Sequence, residues 1–471
     1  MPEDHVPSYL QRLSTDEYEA PAYTDQDRAA LRGLHDIAGE APDAVGAAPV
    51  EYWGSKLGTA AGLLSINVVT PKGEHFYDVP AEAAFDVAAA QEAFVAGRSV
   101  IDVQTHFLTE SDNARLAVPH MTAHVSKIMP SWWRGLQEIG NRGLQDYLRC
   151  VFMESSNTVV VLSSAPTESM MVSNGEMAAA RELFDRCGAQ ARMLNHTVVI
   201  PTYAEDLEAM DKWAAAGTVA WKVYTDPEVG GLIGMDPRLM PIAPQLHGWS
   251  LDSEVGSVFL ERVRETGVKM VCAHKGLGSH PAASPADVGP AAKAFPDIDF
   301  LIYHSGYEAQ TRENVPPEGP YDPNNSRGID RLIKSVLGAG IGHGGNVYAE
   351  LGTTWFNLIR KPDQAAHALG KLLVAFGPDN IIWGTDSIWY GPAEPLIDAF
   401  RAFQIPVSYQ QEFGYPALTD EIKAKILGYN AARVYGIDLD AAQAIADHDD
   451  LTWVQRVADE FRAKGLPPLR P

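Results

Sequence analysis

The chain is poor in cysteine and has no long apolar runs. Its 471 residues include three cysteines, Cys150, Cys187 and Cys272, with neither a C-x-x-C spacing nor a disulfide framework. A reducing, cytoplasmic compartment is therefore expected. No run of about 18 apolar residues is present. The acidic, polar start of the chain has no apolar leader, so neither a membrane span nor a signal peptide is predicted.

Positive charge is also scarce. There are 37 Lys and Arg against 61 Asp and Glu, which gives a net charge of −24. Nucleic acids and anionic membrane surfaces need a basic face on their partners, so both are disfavoured. The hydrophobic fraction of 46% and the charged fraction of 21% are typical of a soluble globular protein.

What the chain does contain, from about residue 98, is an alternation of short apolar runs and amphipathic segments. Eight such runs predict buried strands. Their alternation with helices predicts an α/β fold, a parallel sheet closed into a (β/α)8 TIM barrel. The predicted strands are Ser99–Val103, Thr158–Leu162, Thr197–Pro201, Ala220–Tyr224, Lys269–Ala273, Asp299–Tyr303, Val347–Leu351 and Ile381–Trp383.

Three regions are expected: an N-terminal extension over 1–97, the barrel over 98–440, and a C-terminal helical tail over 441–471. The extension is predicted to hold a helix at Asp25–Ala38, a strand at Leu64–Val69 and a helix at Pro80–Ala96. The tail is expected to pack outside the barrel or against a second subunit in a homodimer.

Metal-capable side chains follow the ends of the predicted strands. Gln104 and His106 end the first strand, and in a regular strand residues two apart share a face. The carboxyl ends of barrel strands meet at one mouth, where such enzymes keep their active sites. A single His or Asp there is usually a core or capping residue. Packing or capping alone does not explain why three imidazoles and a carboxylate occur together at four strand ends. The pattern therefore predicts a metal site. Its members are Gln104, His106, Lys222, His274, His304, Glu350 and Asp386, with Asp386, His274 and Lys222 as catalytic candidates.

Gln104 departs from a hydrolytic zinc site. An amide oxygen is neutral and hard, so it suits Fe(II) or Mn(II) better than zinc. Either the site has decayed, leaving a binding protein without catalysis, or it has been retuned for another metal and reaction. Lys222 and Glu350 are candidates for holding a second metal, although an ion pair or a role in orienting a histidine is an equal alternative for them.

The motifs resemble the amidohydrolase superfamily, above all its amidohydrolase-2 branch, which includes aminocarboxymuconate-semialdehyde decarboxylase. The resemblance covers roughly 98–440 and implies an amidohydrolase-type barrel with one zinc or manganese ion. It implies hydrolysis or non-oxidative decarboxylation with a water of lowered pKa. The branch has His-x-His where this chain has Gln104-x-His106. The resemblance is carried by the order His106, His274, His304, Asp386, by Trp383–Asp386 and by the ending Lys425–Gly436.

Within the superfamily, the Gln-x-His motif and the extra donors also resemble the TIM-barrel non-haem diiron monooxygenases of platensimycin and platencin biosynthesis. That resemblance implies two Fe ions, O2 as co-substrate and an external electron donor. It implies hydroxylation of an unactivated C–H bond of an apolar, diterpenoid-like acid or thioester. In binuclear amidohydrolases a lysine on strand four is carboxylated and bridges the ions, and Lys222 matches that position.

Aromatic residues near the predicted mouth suit a small apolar substrate. Trp133, Tyr224 and Trp389 are substrate-binding candidates, and ordinary core packing is the competing explanation for each. His120 and His124 lie in the long segment after the first strand and are candidates for contacting a substrate carboxylate or thioester. Exposed loop positions are the alternative for both.

Overall fold

Eight parallel strands form one sheet in chain order, as predicted. The computed structural model describes residues 6–13, 22–38, 52–70, 74–95, 99–108, 143–165, 172–226, 248–277, 281–309 and 315–463. The strands are β1 Val100–Thr105, β2 Asn157–Leu162, β3 Met193–Val198, β4 Ala220–Tyr224, β5 Met270–His274, β6 Asp299–Tyr303, β7 Val347–Glu350 and β8 Ile381–Ile382.

Hydrogen bonds between the first and last strands close the sheet into a barrel. Val103 N donates to Trp383 O at 3.2 Å, and Asp386 N donates to Gln104 O at 2.9 Å. Thr105 and Ser387 form a parallel bridge beyond the end of β8. The (β/α)8 barrel expected from the sequence is therefore confirmed.

Helices follow the strands on the outside of the barrel. Their ends carry local signals: Ser173 and Glu176 form a capping box, and Gly267 ends its helix at φ 79°. The α-helices of the described residues are α1 Asp25–Ala38, α2 Lys56–Val68, α3 Val87–Ala93, α4 Leu144–Tyr147, α5 Asn174–Arg186, α6 Ala204–Ala215, α7 Glu254–Thr266, α8 Val288–Ala294, α9 Gly328–Gly338, α10 Thr354–Ile359, α11 Pro362–Phe376, α12 Glu394–Ala402, α13 Val407–Phe413, α14 Asp420–Ala424, α15 Asn430–Tyr435, α16 Leu439–Ala446 and α17 Asp450–Ala463.

Two of the predicted elements in the extension need correction. The predicted strand Leu64–Val69 is the end of helix α2, because a short apolar run does not by itself distinguish a buried helix from a strand. The predicted helix Pro80–Ala96 is divided into a short 3-10 turn at Ala81–Ala84 and α3. Asp86 starts α3 by accepting a hydrogen bond from Ala89 N at 2.8 Å.

Strand β3 begins at Met193 rather than at Thr197. The sequence pattern missed its first four residues because Asn195 and His196 are polar. Both are buried with partners: Asn195 Oδ1 accepts from Arg181, and His196 lies 3.0 Å from the Tyr303 hydroxyl. Hydrogen bonding lets polar residues occupy a buried strand.

The described part of the extension packs against α12. Lys56 Nζ lies 2.8 Å from Glu394 Oε1 and 2.7 Å from Asp398 Oδ1. The Tyr77 hydroxyl donates to Ile359 O at 2.6 Å. The extension thus shares its apolar core with the outer layer of the barrel. Among the described residues, no helix is long and apolar enough to cross a bilayer.

Candidate metal centre

The predicted metal-binding side chains are all buried, and all but Lys222 lie at or just beyond the carboxyl ends of the strands. None is more than 3% exposed, although the set includes three histidines, a lysine and two carboxylic acids. Ionisable groups are rarely buried to this degree unless they are paired, coordinate a metal or carry out chemistry. The residues are Gln104, His106, Lys222, His274, His304, Glu350 and Asp386.

A β-bulge lies near the end of β1, beside the two candidate ligands Gln104 and His106. Asp102 pairs with Val160 and Thr105 with Leu162, so three steps along β1 match two along β2. Asp102 accepts hydrogen bonds from Thr385, outside the centre, whereas Gln104 reaches Asp386. Gln104 and His106, which are two residues apart, nevertheless both reach Asp386 Oδ1. Bulges of this kind commonly re-aim side chains beside active sites.

His106 is held by a backbone carbonyl and faces a carboxylate. Its Nδ1 lies 2.9 Å from the carbonyl oxygen of Ser163, which can only accept, so Nδ1 carries the hydrogen. Its Nε2 lies 2.9 Å from Asp386 Oδ1. A neutral ring would turn its Nε2 lone pair toward that carboxylate. The arrangement therefore calls for a positive charge on or beside Nε2, either a proton or a metal ion.

Asp386 is the centre of the hydrogen-bond network. Gln104 Nε2 donates to Oδ1 at 2.9 Å, and Thr353 Oγ1 donates to Oδ2. Burial by itself raises the pKa of Asp386, but His106, His304 and the Thr353 hydrogen bond lower it to about 2. The side chain is therefore a carboxylate at neutral pH. Its backbone has φ 62°, an uncommon conformation for a residue other than glycine.

The Gln104 amide oxygen is a buried acceptor that makes no hydrogen bond with the described residues. Two glycines make room for it beside Glu350. A Cβ at Gly352 would lie 2.3 Å from Gln104 Oε1 and 2.5 Å from Glu350 Oε1, and one at Gly384 would lie 2.0 Å from Glu350 Oε1. Gln104 Oε1 and Glu350 Oε1 are therefore neighbouring oxygens in a space that any larger residue would fill.

Glu350 holds the backbone around His304. Its Oε2 accepts from His304 N at 2.9 Å, and its Oε1 accepts from Gly352 N. Burial raises the pKa of Glu350 to about 8 against the lowering effect of these two hydrogen bonds. The contacts observed are those of a residue that positions a histidine, one of the two roles considered for it.

His274 and His304 lie side by side. Their ring centroids are 4.8 Å apart in an edge-to-face arrangement. His304 Nδ1 lies 2.8 Å from Gly352 O, so Nδ1 carries the hydrogen and Nε2 is the atom that can act on a ligand. His274 stacks on Tyr224 with centroids 4.6 Å apart. Burial and the neighbouring Lys222 lower the pKa of His274 to about 3, which keeps its imidazole neutral.

Lys222 lies one layer deeper in the barrel than His274. In the β4–β5 pairing Tyr224 is opposite His274, whereas Lys222 is opposite Cys272. The Lys222 ammonium sits 3.1 Å from the ring centroid of Tyr303 and 4.7 Å from that of Tyr224. Both are cation–π contacts. The structure therefore places Lys222 beneath the histidines.

The geometry of the His106–Asp386 pair fits a metal ion. Two ligand atoms about 2.1 Å from one ion lie about 3.0 Å apart at the angle of about 90° of an octahedral site, and about 3.4 Å apart at the tetrahedral angle usual for zinc. The observed separation of Nε2 and Oδ1 is 2.9 Å. No three His, Cys, Asp or Glu side chains converge on one point within the described part of the chain, so His274 and His304 form a second group beside this pair.

Sequence reasoning missed the segment Gly352–Thr354 after β7. Gly352 O holds His304, Thr353 holds Asp386, and Thr354 Oγ1 donates to His304 O at 2.7 Å. The polar Gly-Thr-Thr run directly after a buried strand was the available signal. Glycine and threonine are not usual metal ligands, so residue type alone did not indicate a role for this segment.

The predicted substrate contacts divide into two groups. Tyr224 stacks on His274, and the Trp389 ring lies 6.3 Å from that of His106, so both adjoin the centre. His120, His124 and Trp133 lie outside the described residues.

The family model for amidohydrolases matches residues 101–437. The chain belongs to the amidohydrolase family. The match runs from β1 to just beyond α15, and the buried histidines and Asp386 all lie inside it. No curated protein matches this chain significantly.

Several solved structures are similar to the chain at low identity. A 2,6-dihydroxybenzoate decarboxylase is 15% identical, with 72% of this chain and 99% of that one covered and a TM-score of 0.41. A 5-carboxyvanillate decarboxylase from Sphingomonas paucimobilis is 12% identical, with 72% and 100% covered and a TM-score of 0.40. An amidohydrolase from Burkholderia multivorans with bound zinc is 13% identical, with 72% and 99% covered and a TM-score of 0.40.

Proposed function

We propose that this protein is a metal-dependent enzyme that hydrolyses or non-oxidatively decarboxylates a small, largely apolar substrate. A single divalent ion, zinc or manganese, would be held by His106 and Asp386, with His274 and His304 as a neighbouring group beside it. The observation that carries the proposal is the His106–Asp386 pair, whose 2.9 Å separation and fixed Nδ1–H suit two ligands of one ion. Membership of the amidohydrolase family supports the same reading.

A divalent ion bound here would act as a Lewis acid and lower the pKa of a bound water. The protein's own residues have separate tasks. Asp386 stays ionised, because its hydrogen-bond partners hold its pKa at about 2. His274 stays neutral with its pKa at about 3, so its imidazole can bind a cation.

The buried aromatic residues favour an apolar body for the substrate. Tyr224 and Trp389 adjoin His274 and His106, and both aromatic side chains are buried. Aromatic walls around a few polar groups are the usual composition of a small-molecule site. A carboxylate or acyl group of the substrate would face the cation.

Metal analysis of purified protein, followed by turnover assays, tests this proposal. We expect about one zinc or manganese ion per chain, and removal by a chelator should abolish hydrolysis or CO2 release from aromatic carboxylic acids. Addition of either ion should restore it. A protein that binds no divalent ion, or whose turnover survives complete chelation, would contradict the proposal.

A diiron monooxygenase is the second candidate, and the Gln104–Glu350 pair favours it. Two buried oxygens, Gln104 Oε1 and Glu350 Oε1, border the space kept open by Gly352 and Gly384. Hard oxygen donors of this kind suit iron. This candidate predicts two irons per chain, an external reductant and O2 uptake coupled to hydroxylation. One zinc and no iron would reject it.

A further inference from the structure

Thr353 touches the Asp386 carboxylate on the oxygen that His106 does not use. Thr353 Oγ1 donates to Oδ2, whereas Oδ1 lies 2.9 Å from both His106 Nε2 and Gln104 Nε2. We propose that Thr353 and Tyr390 form a hydroxyl chain that fixes the orientation of Asp386, so that both are positioning residues for the metal centre. This inference rests on the proposed function.

The hydrogen bonds of this hydroxyl chain all run in one direction. Thr353 Oγ1 also lies 2.7 Å from the Tyr390 hydroxyl. A hydroxyl has a single hydrogen, and the Asp386 carboxylate can only accept. Thr353 therefore donates to Asp386, and Tyr390 donates to Thr353. Because each hydrogen bond polarises the next, the two hydroxyls act together on one carboxylate oxygen.

The backbone at Thr353 supports a dedicated role. Thr353 has φ 56° and ψ −41°, a conformation that β-branched residues rarely adopt. It stands at the N-cap of α10, where threonine usually accepts a hydrogen bond from its own helix, yet its side chain makes no such bond. The hydroxyl points to Asp386 instead. Strain of this kind persists where the surrounding structure fixes it, commonly at functional sites.

Tyr390 is fixed by the same helix. Its ring stacks on Phe356 of α10 with centroids 3.7 Å apart and planes 12° apart, and both rings are buried. Phe356 lies three residues after Thr353 in the chain. The donor and the acceptor of the Tyr390–Thr353 hydrogen bond are therefore held against one short element.

The test measures Mn2+ affinity by chelator competition in four variants. We expect Thr353→Val to weaken binding about ten- to hundredfold, as is typical when a residue supporting a ligand is lost. Thr353→Ser should stay within about threefold of the parent, and Tyr390→Phe should weaken binding less than Thr353→Val. The double variant Thr353→Val/Tyr390→Phe should match Thr353→Val, because the two act in series.

Tyr52→Phe is the matched control. The Tyr52 hydroxyl is also buried and donates to a carbonyl, Ala84 O, at 2.8 Å in the extension. Its loss should leave Mn2+ affinity unchanged. Wild-type affinity in Thr353→Val, or additive effects in the double variant, would overturn the proposal.

A stability cycle in metal-free protein separates this inference from the proposed function. Thr353→Val and Asp386→Ala should be non-additive by at least about tenfold in the unfolding equilibrium constant, since each removes the same hydrogen bond. If the wild-type protein binds no divalent ion, the proposed function fails. The stability cycle then tests the hydroxyl chain by itself: coupling between the two substitutions supports it, and additivity overturns it.

Discussion

His106 Nε2 and Asp386 Oδ1 lie 2.9 Å apart, although 280 residues separate them in the chain. The contact joins the end of β1 to the segment after β8, the seam at which the barrel closes. The closing hydrogen bonds, such as that from Asp386 N to Gln104 O, thus also set the distance between the two candidate ligands.

Removal of either member of this pair should empty the centre. We expect His106→Ala and Asp386→Ala to abolish both metal content and turnover, because each removes a ligand and leaves its partner buried without compensation. Elemental analysis and activity assays measure both. The control is His343→Ala, at an exposed position whose ring contacts Val374 O. Turnover that survives in either ligand variant would refute the assignment.

Gln104→His should shift the preference of the centre toward zinc. The change restores the His-x-His pattern, and imidazole binds zinc better than an amide oxygen does. Competition between Zn2+ and Mn2+ should show a gain in relative zinc affinity, and any oxygenase activity should fall. Gln190→His at an exposed position controls for adventitious zinc binding. An unchanged metal preference would show that Gln104 is not a ligand.

Gly384→Ala should damage the centre by steric overlap. The added Cβ would lie 2.0 Å from Glu350 Oε1 and 3.1 Å from Gln104 Cβ. We expect a loss of about 1–3 kcal/mol in the free energy of unfolding, measured by denaturant titration, together with weaker metal binding. Gly338→Ala is the control, because a Cβ there meets nothing within 4 Å at the end of α9. Equal stability of the two variants would contradict the crowding described for Gly384.

Acid should destabilise the protein partly through His367. Burial and Lys371 lower the pKa of His367 from 6.5 to about 4. The folded state therefore favours the neutral ring. The stabilisation is full above pH 6.5 and is lost as the pH falls through 4. His367→Phe keeps a ring against Phe413 but removes the titration.

The unfolding free energies of His367→Phe and the parent should be compared at pH 7.5 and pH 4.5. The variant should lose less stability by about 1 kcal/mol, a value discounted for the partial exposure of His367. Identical pH dependence in the two proteins would contradict the assignment.

The sequence predicted the strand ends better than the strand interiors. Short apolar runs followed by His274, His304 and Asp386 located the mouth of the barrel without any contact information. Polar Asn195 and His196 hid the first four residues of β3, because their partners, Arg181 and Tyr303, come from other elements of the fold. The apolar run at Leu64–Val68 was wrongly predicted as a strand, because a short apolar run by itself fits a buried strand as well as a buried helix.

The sequence by itself determined the parallel barrel and the identity of the candidate metal-binding residues, because periodicity and residue type are local properties. Only the tertiary structure decided how those residues are arranged. Gln104 donates to Asp386, Lys222 lies a layer below His274, and Glu350 binds backbone N–H groups. The role of the segment Gly352–Thr354 also depends on the tertiary structure. Its carbonyl and hydroxyls contact His304, which follows β6, and Asp386, which follows β8.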